Sequence, residues 1–285
     1  MAQTSKANAE LGAFLRSRRA ELNSDLVGLP PSAGRRRVTG LRREEVALLA
    51  GISPDYYARI EQGRLPSVSE DTVEAICRAL QLNPDQEAYV RTLARKPTAL
   101  RTTQDAPVDP VTRNLLTHVN EIPTLALGPY LDIHGWNPLA SLLFLDFAEL
   151  PRERRNLVWL AFLHPQIRAM YVDWESVGRE CVAFLRMDAA RQPDNPRLAD
   201  LIGELSASDS DFRSWWSSQD VSHHNTSGRK RYRHPAIGEF SLDWQIYHRE
   251  TTVTTRLAFL VPSDTHSAAA LTALSCAGLN YQTRT

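Results

Sequence analysis

The residues best equipped for chemistry fall into two groups. In the first, Ser53-Pro54 opens a segment in which Asp55, Tyr56 and Arg59 stand at i, i+1 and i+4. On a helix that spacing puts the three on one side, while Ile52, Tyr57 and Ile60 fall on the other. A guanidinium can donate to a guanine edge or a phosphate, and a carboxylate can accept from cytosine N4. The Tyr56 ring can touch a thymine methyl, or its hydroxyl a phosphate. The basic run Arg35, Arg36 and Arg37 can add phosphate contacts or reach into an adjacent minor groove. The second group is aromatic: Phe144, Phe184, Trp216, Trp244 and Phe259, with His234 as the one titratable member. Such side chains wall an apolar cavity or fill an ordinary core. His234 could orient a carboxylate head group or hydrogen-bond the backbone at a strand end. A third candidate, His223-His224, sits among Ser, Asn, Thr and Gly, where it could bind a metal or simply be solvated; no metal site is expected.

The elements that must position these residues follow from periodicity. Leu11, Phe14, Leu15, Arg18 and Leu22 form the inner stripe of a first helix, with Arg16 and Arg19 toward water. Val46, Leu49 and Ala50 face inward on the next helix, Gly51 stops it, and Ser53 caps the one that follows, with Pro54 at its first position. Ser69 and Asn83-Pro84 open two more. A short turn between two capped helices is helix-turn-helix grammar: Ala47 must be small where they cross, and Gly51 supplies positive φ.

Residues 96–110 (KPTALRTTQDAPVDP) read as a linker. Beyond it a helix is expected over residues 111–119, then strands at 124–127 and 130–134, and a helix from Asn137-Pro138 to Phe147. Helical spacing returns at Trp174, Val177, Cys181, Phe184 and Leu185, and again at Leu198, Leu201, Ile202 and Leu205. Phe240, Leu242, Trp244 and Ile246 alternate with polar residues, as do Leu257, Phe259 and Val261, which predicts a hairpin. A helix over 265–276 follows. The expected fold is two-domain: all-α over 1–95, the linker 96–110, an α+β domain over 111–277, and a tail over 278–285.

Composition narrows the class. The chain has 285 residues, 42% hydrophobic and 23% charged, which excludes wholesale disorder. Thirty-three basic residues balance thirty-three acidic ones, yet residues 10–43 hold eight Arg against three acids. No apolar run approaches the roughly 20 residues that span a bilayer, and the N-terminus lacks the apolar core of a secretory signal. Three widely spaced cysteines without a C-x-x-C pair argue against a disulfide framework and fit a reducing cytoplasm.

Residues 41–64 (LRREEVALLAGISPDYYARIEQGR) resemble the Xre, or Cro/C1-type, DNA-binding domains, five-helix lambda-repressor-like units. The likeness covers about residues 9–83. Leu41, Glu45, Ala47, Gly51, Ile60, Glu61 and Gly63 fall on the family's pattern; Arg43 stands where Gln is frequent, and the connection over residues 23–40 is longer and more basic. The resemblance puts Arg43 at a phosphate, and the expected DNA-contact set is then Arg35, Arg36, Arg37, Arg43, Ser53, Asp55, Tyr56 and Arg59. The stretches FRSWWSSQDV, GRKRYRHPAIGEFSLDW and DIHGWNPLASLLF resemble the MmyB-like ligand-binding domain found behind such helices. Asn137, Phe212, Trp216, Asp220, Val221, His234, Pro235 and Gly238 match, while Gln219 replaces a frequent His. That resemblance implies a PAS-like sensor with a fatty acid as ligand; the residues expected to contact it are Phe144, Phe184, Trp216, His234, Trp244 and Phe259. Asp220 is expected to brace Lys230 or Arg231.

The expectation is a homodimeric, cytoplasmic, ligand-responsive transcriptional regulator bound to double-stranded DNA, with no membrane association, no cofactor beyond a possible bound fatty acid, and no enzymatic activity. A DNA-targeted enzyme and an antitoxin-like interaction protein are the alternatives. Against the enzyme, the sequence has no G-x-S-x-G, H-E-x-x-H or P-loop.

Overall fold

The computed structural model describes residues 2–22, 40–65, 67–95, 108–219, 221, 227–248 and 255–282. Arg35, Arg36, Arg37, Asp220, His223, His224 and most of the expected linker lie outside the described residues. The chain forms two compact units. Unit 1 comprises Met1–Ala99 with Arg186–Asp200 and Ser214–His223; unit 2 comprises Leu100–Leu185, Leu201–Arg213 and His224–Thr285. The division between Ala99 and Leu100 falls within the linker expected over 96–110, while two later segments, which the sequence did not suggest, join the first unit.

Unit 1 is built on α1 (Ala2–Glu21), α2 (Arg43–Ala50), α3 (Pro54–Glu61), α4 (Glu70–Ala79) and α5 (Pro84–Ala94). Each of the last three starts as its cap residue dictates: Ser53, Ser69 and Asn83 accept from the backbone N–H three residues on. Glu45 accepts from the Arg42 N–H at 2.7 Å and starts α2. The expected stripe of α1 is inside: Leu11, Phe14, Leu15 and Arg18 are buried. They pack with Val46, Ala47, Tyr57, Ile60, Val73, Ile76, Tyr89 and Leu93, and Met187 and Ala190 complete this core. Fully burying a side chain of Leu or Phe size stabilises by about 1.5–3 kcal/mol, so the stripe holds α1 in place. Two expectations fail. Leu49 is surface-exposed beside Leu48, since α2 turns Val46, Ala47 and Ala50 inward. Arg19 is folded onto a buried carboxylate instead of facing water.

Unit 2 centres on a five-stranded antiparallel sheet, β1 (Thr124–Leu127), β2 (Ile133–Trp136), β3 (Ser227–His234), β4 (Gly238–His248) and β5 (Arg256–Pro262), in the order β2-β1-β5-β4-β3. The expected second strand is shifted, because Pro129–Leu131 forms a 3-10 turn in which Tyr130 and Leu131 have positive φ. The helices are α6 (Pro110–His118), α7 (Pro138–Leu143), α8 (Leu157–Leu163), α9 (Pro165–Met170), α10 (Trp174–Ala189), α11 (Pro196–Ser208), α12 (Ser210–Ser217) and α13 (Thr265–Gln282). The last turn of α10, the first of α11 and the end of α12 belong to unit 1.

The helix expected to reach Phe147 stops at Leu143, and a separate 3-10 turn holds Phe147–Glu149. Asn137, fully buried, fixes this corner. Its Oδ1 accepts from the N–H groups of Thr124 and Ala140, and its Nδ2 donates to the carbonyls of Val119 and Ile122. No helix among the described residues is long and apolar enough to cross a membrane.

Candidate functional site

The α2–α3 junction is set by backbone chemistry. Gly51 closes α2 in the left-handed region (φ 66°), and the Ile52 N–H donates to the Ala47 carbonyl at 3.0 Å. Two residues after Gly51, Ser53 Oγ accepts from the Tyr56 N–H at 3.2 Å; its hydroxyl serves as the cap of α3. Tyr57 and Ile60 are buried, and Asp55 and Arg59 are exposed on the opposite side. Among the described residues no ion pair engages Asp55 or Arg59. Tyr56 is only half-exposed and packs against the core, so its ring edge is what it offers.

Beneath this face lies a carboxylate hub. The Glu61 side chain is 0% exposed and takes Arg19 Nη2 at 2.9 Å, Arg43 Nη2 at 3.2 Å and Arg16 Nε at 3.3 Å. Arg19 Nε also donates to Glu61 Oε2 at 3.0 Å, so that pair is two-pronged. Burial pushes the carboxyl upward, but the hydrogen bonds and charges of Arg19 and Arg43 outweigh it and hold Glu61 below its ordinary value. The same carboxylate raises Arg19 through its hydrogen bond. Burial drives the Tyr57 phenol well above its usual range. Arg43, expected at a phosphate, is thus also tied to Glu61, with about two-fifths of its side chain still in water. Arg42 and Arg64, which sequence reasoning left out, are exposed near the two ends of the α2–α3 pair.

In unit 2 the aromatic candidates separate. Phe184 and Trp244 line one cavity of about 50 Å³, with Leu131, Leu157, Tyr171, Val177, Cys181 and Ile246. Its polar wall is the pair Lys230–Glu180, at 2.8 Å, with the Lys230 ammonium 5.5 Å from the Trp244 ring centroid. Trp244 Nε1 donates to the Tyr232 hydroxyl, which stands beside Tyr171. Burial raises both phenols and pushes the Cys181 thiol up to about 11. No group of three or more metal-ligating side chains occurs among the described residues.

The other four candidates lie elsewhere. Phe144 packs on Phe147 and Tyr232. Phe259 is opposite Gln245 in the β4–β5 register, on the face away from Trp244, and meets Tyr247 edge-on; strand alternation puts it out of the cavity. The His234 Nδ1 accepts from the Ala236 N–H at 3.2 Å inside the β3–β4 turn. Burial lowers its pKa, as suits a neutral acceptor bracing a hairpin. Trp216 belongs to unit 1, where its ring lies under the Arg186 guanidinium.

Sequence reasoning missed β3 and with it Lys230. The run GRKRYRH carried the signal at period two: Arg229, Arg231 and Arg233 face out, to Asp243, Asp173 and Glu239, while Tyr232 and His234 are buried. Lys230 pairs with Glu180 and Arg231 with Asp173.

The geometry agrees with the comparisons. No curated protein matches the chain. Residues 10–89, which hold the Gly51 turn and the α3 face, match a helix-turn-helix domain family. Residues 108–274, more than half of the 285, match the family described as the MmyB-like transcription regulator ligand binding domain. The two matches together make the chain a DNA-binding transcription regulator with a ligand-sensing domain, and it belongs to the MmyB-like family of such regulators.

Proposed function

We propose that α3 enters the major groove of double-stranded DNA with Asp55 and Arg59 against base edges. Ser53 and Tyr56 stand at its backbone margin, and Arg43 keeps one phosphate contact while braced by Glu61. Arg35, Arg36 and Arg37 add to the phosphate contacts. A single helix reads only a few base pairs, so two copies of the chain bind half-sites about one helical turn apart. The observation that carries this reading is the face itself: Asp55 and Arg59 are exposed and unpaired among the described residues, on a helix whose opposite side is locked into the core.

Unit 2, in this reading, is a PAS-like sensor for an amphiphile with an apolar chain and an anionic head, a fatty acid. The cavity walls are apolar except at Lys230–Glu180. A carboxylate head group replaces Glu180 at Lys230, a charge-assisted exchange of like for like. At about 50 Å³ the cavity is far below the roughly 300–1,000 Å³ of a typical ligand pocket, so binding widens it. Ligand then acts by shifting the population between two arrangements of the regulator.

Two measurements test the reading. Duplexes selected from a random pool by the wild-type protein should lose about 1–3 kcal/mol of discrimination over random DNA with Arg59→Ala, while Arg43→Ala weakens both and flattens the salt slope. Equal affinity of wild type and both variants for selected and random duplexes would overturn the assignment. Native mass spectrometry should find a fatty acid on the purified protein; absence of any lipid, together with no thermal shift on adding palmitate, removes the ligand reading.

A further inference from the structure

One arginine of unit 1 is buried completely. Arg186, in the last turn of α10, has 0% of its surface exposed. Its Nη1 donates to Glu10 Oε1 of α1 at 2.7 Å and to Gln219 Oε1 at 2.9 Å. Its Nη2 donates to the Trp216 carbonyl, and its Cζ lies 4.1 Å from the centroid of the Trp216 ring. The Tyr89 hydroxyl of α5 donates to the same Glu10 oxygen at 3.1 Å. Farther along the same face of α1, Arg18 Nη2 and Ser17 Oγ both donate to the Ser218 carbonyl, at 3.0 and 3.3 Å. Next to Arg186, Met187 joins the core formed by α1 to α5. All of these groups lie within unit 1.

Apolar side chains could hold a helix end in this place without desolvating a charge. A buried ion pair is weak evidence for stability, and its best-attested use is to specify one arrangement over another. The specification here is sharp, because the guanidinium meets a carboxylate, an amide and a carbonyl in fixed directions and fits only one placement of α10.

The same helix carries the cavity wall. Val177, Cys181 and Phe184, at i, i+4 and i+7, line it, and Arg186 follows two residues later. Any occupant much larger than about 50 Å³ must move these side chains off β3 and β4. A continuous helix transmits that movement along its length, because its backbone hydrogen bonds do not stretch independently.

We propose that Arg186 is a latch: it holds α1 and the end of α10 in one arrangement while the cavity is small, and releases when an occupant displaces α10. Cavity occupancy thereby reaches the DNA-binding helices through the end of α10, with the Arg186 guanidinium as its charged contact. The proposal rests on the cavity's being the ligand site.

Hydrogen–deuterium exchange of the full chain tests it, read at residues 11–18 and 214–219. Palmitate is the probe, and Cys181→Trp fills the cavity from within without any ligand. Breaking the buried pair with Arg186→Gln should speed exchange at both segments at least roughly tenfold. Palmitate on the wild type and Cys181→Trp alone should each do the same, and neither should add to Arg186→Gln. If Arg186→Gln fails to fold, Glu10→Gln breaks the pair from its more exposed side; if Cys181→Trp fails, Val177→Phe fills the same space. A folded cavity-filled variant with wild-type exchange at both segments overturns the latch. Palmitate without effect, beside a cavity-filled variant that responds, removes the fatty-acid reading and leaves the latch standing.

Discussion

Glu61→Gln should cost the helix-turn-helix unit much of its stability while leaving its shape almost unchanged. The carboxylate is fully buried beneath α3 and is shared by Arg19, Arg43 and Arg16. Removing one side of a buried pair costs about 3–5 kcal/mol, because the surviving charge is stranded. Here the stranded charge is chiefly Arg19, whose side chain is 15% exposed; those of Arg43 and Arg16 are 40% and 56% exposed and can turn to water. The lower end, about 3 kcal/mol, is therefore expected. At about 4 °C per kcal/mol for a unit of this size, melting should fall by roughly 12 °C. Calorimetry on the full chain reads it as a shift of one transition. The pH dependence gives a second check. Because the folded carboxyl sits below its ordinary value, its contribution is present above the unfolded pKa of about 4.3 and is lost as pH falls through the folded value. Wild type and variant should therefore converge in acid. A variant melting within about 3 °C of wild type at neutral pH would refute the hub as a stabilising element.

Three further outcomes are expected. Asn137→Ala strands the Thr124 N–H and the Val119 carbonyl, while the Ala140 N–H keeps the Asn137 backbone carbonyl and the Ile122 carbonyl keeps the Thr124 hydroxyl, at about 1–3 kcal/mol for each group that water cannot reach, so thermal denaturation should show unit 2 losing about 3 kcal/mol. Gly51→Ala meets no atom within 4 Å but must hold φ at 66°, about 1–2 kcal/mol of backbone cost; Gly12→Ala, whose added carbon would stand 2.3 Å from the Glu61 carbonyl oxygen, should cost more by forcing α1 off α3, and urea midpoints would rank them. Iodoacetamide at pH 8 should label exposed Cys276 and spare Cys77 and Cys181, whose thiols burial pushes up to about 11; peptide mapping that finds Cys181 labelled as fast as Cys276 would contradict that shielding.

The helical unit was readable from its sequence because its signals are local. Ser53, Ser69 and Asn83 cap through hydrogen bonds three residues away, and the α1 stripe repeats at the helical period over a few turns. The partners of Glu61 were not readable, since Arg16 and Arg19 come from α1, some 40 residues earlier. In unit 2 the hairpin of β4 and β5 announced itself by alternating apolar residues, whereas β3 hid the same period under a run of cations. Phe259 shows the limit of counting aromatics. Both strands were correctly expected, yet only the register, Gln245 against Phe259, decides that this ring faces away from Trp244.

The helix α10 explains why the site candidates dispersed. Its apolar repeat at Val177, Cys181 and Phe184 was visible as one face, and the cavity is on that face. Arg186 interrupts the apolar run Val182-Ala183-Phe184-Leu185 with a charge, and on composition alone such a residue belongs in water. It is instead buried with Glu10 and Gln219, and the Trp216 ring expected in the ligand chamber is the surface on which its guanidinium rests. Under the latch proposal Trp216 serves the sensor without touching what is sensed, since its ring and carbonyl hold the Arg186 guanidinium at the end of α10. On that argument, substituting Trp216 should alter the response of unit 1 to palmitate while leaving palmitate affinity unchanged, whereas substituting Phe184 should alter the affinity itself. Isothermal titration of Trp216→Leu and Phe184→Ala, beside exchange at residues 11–18, separates the two, and an affinity loss confined to the Trp216 variant would return that ring to the cavity.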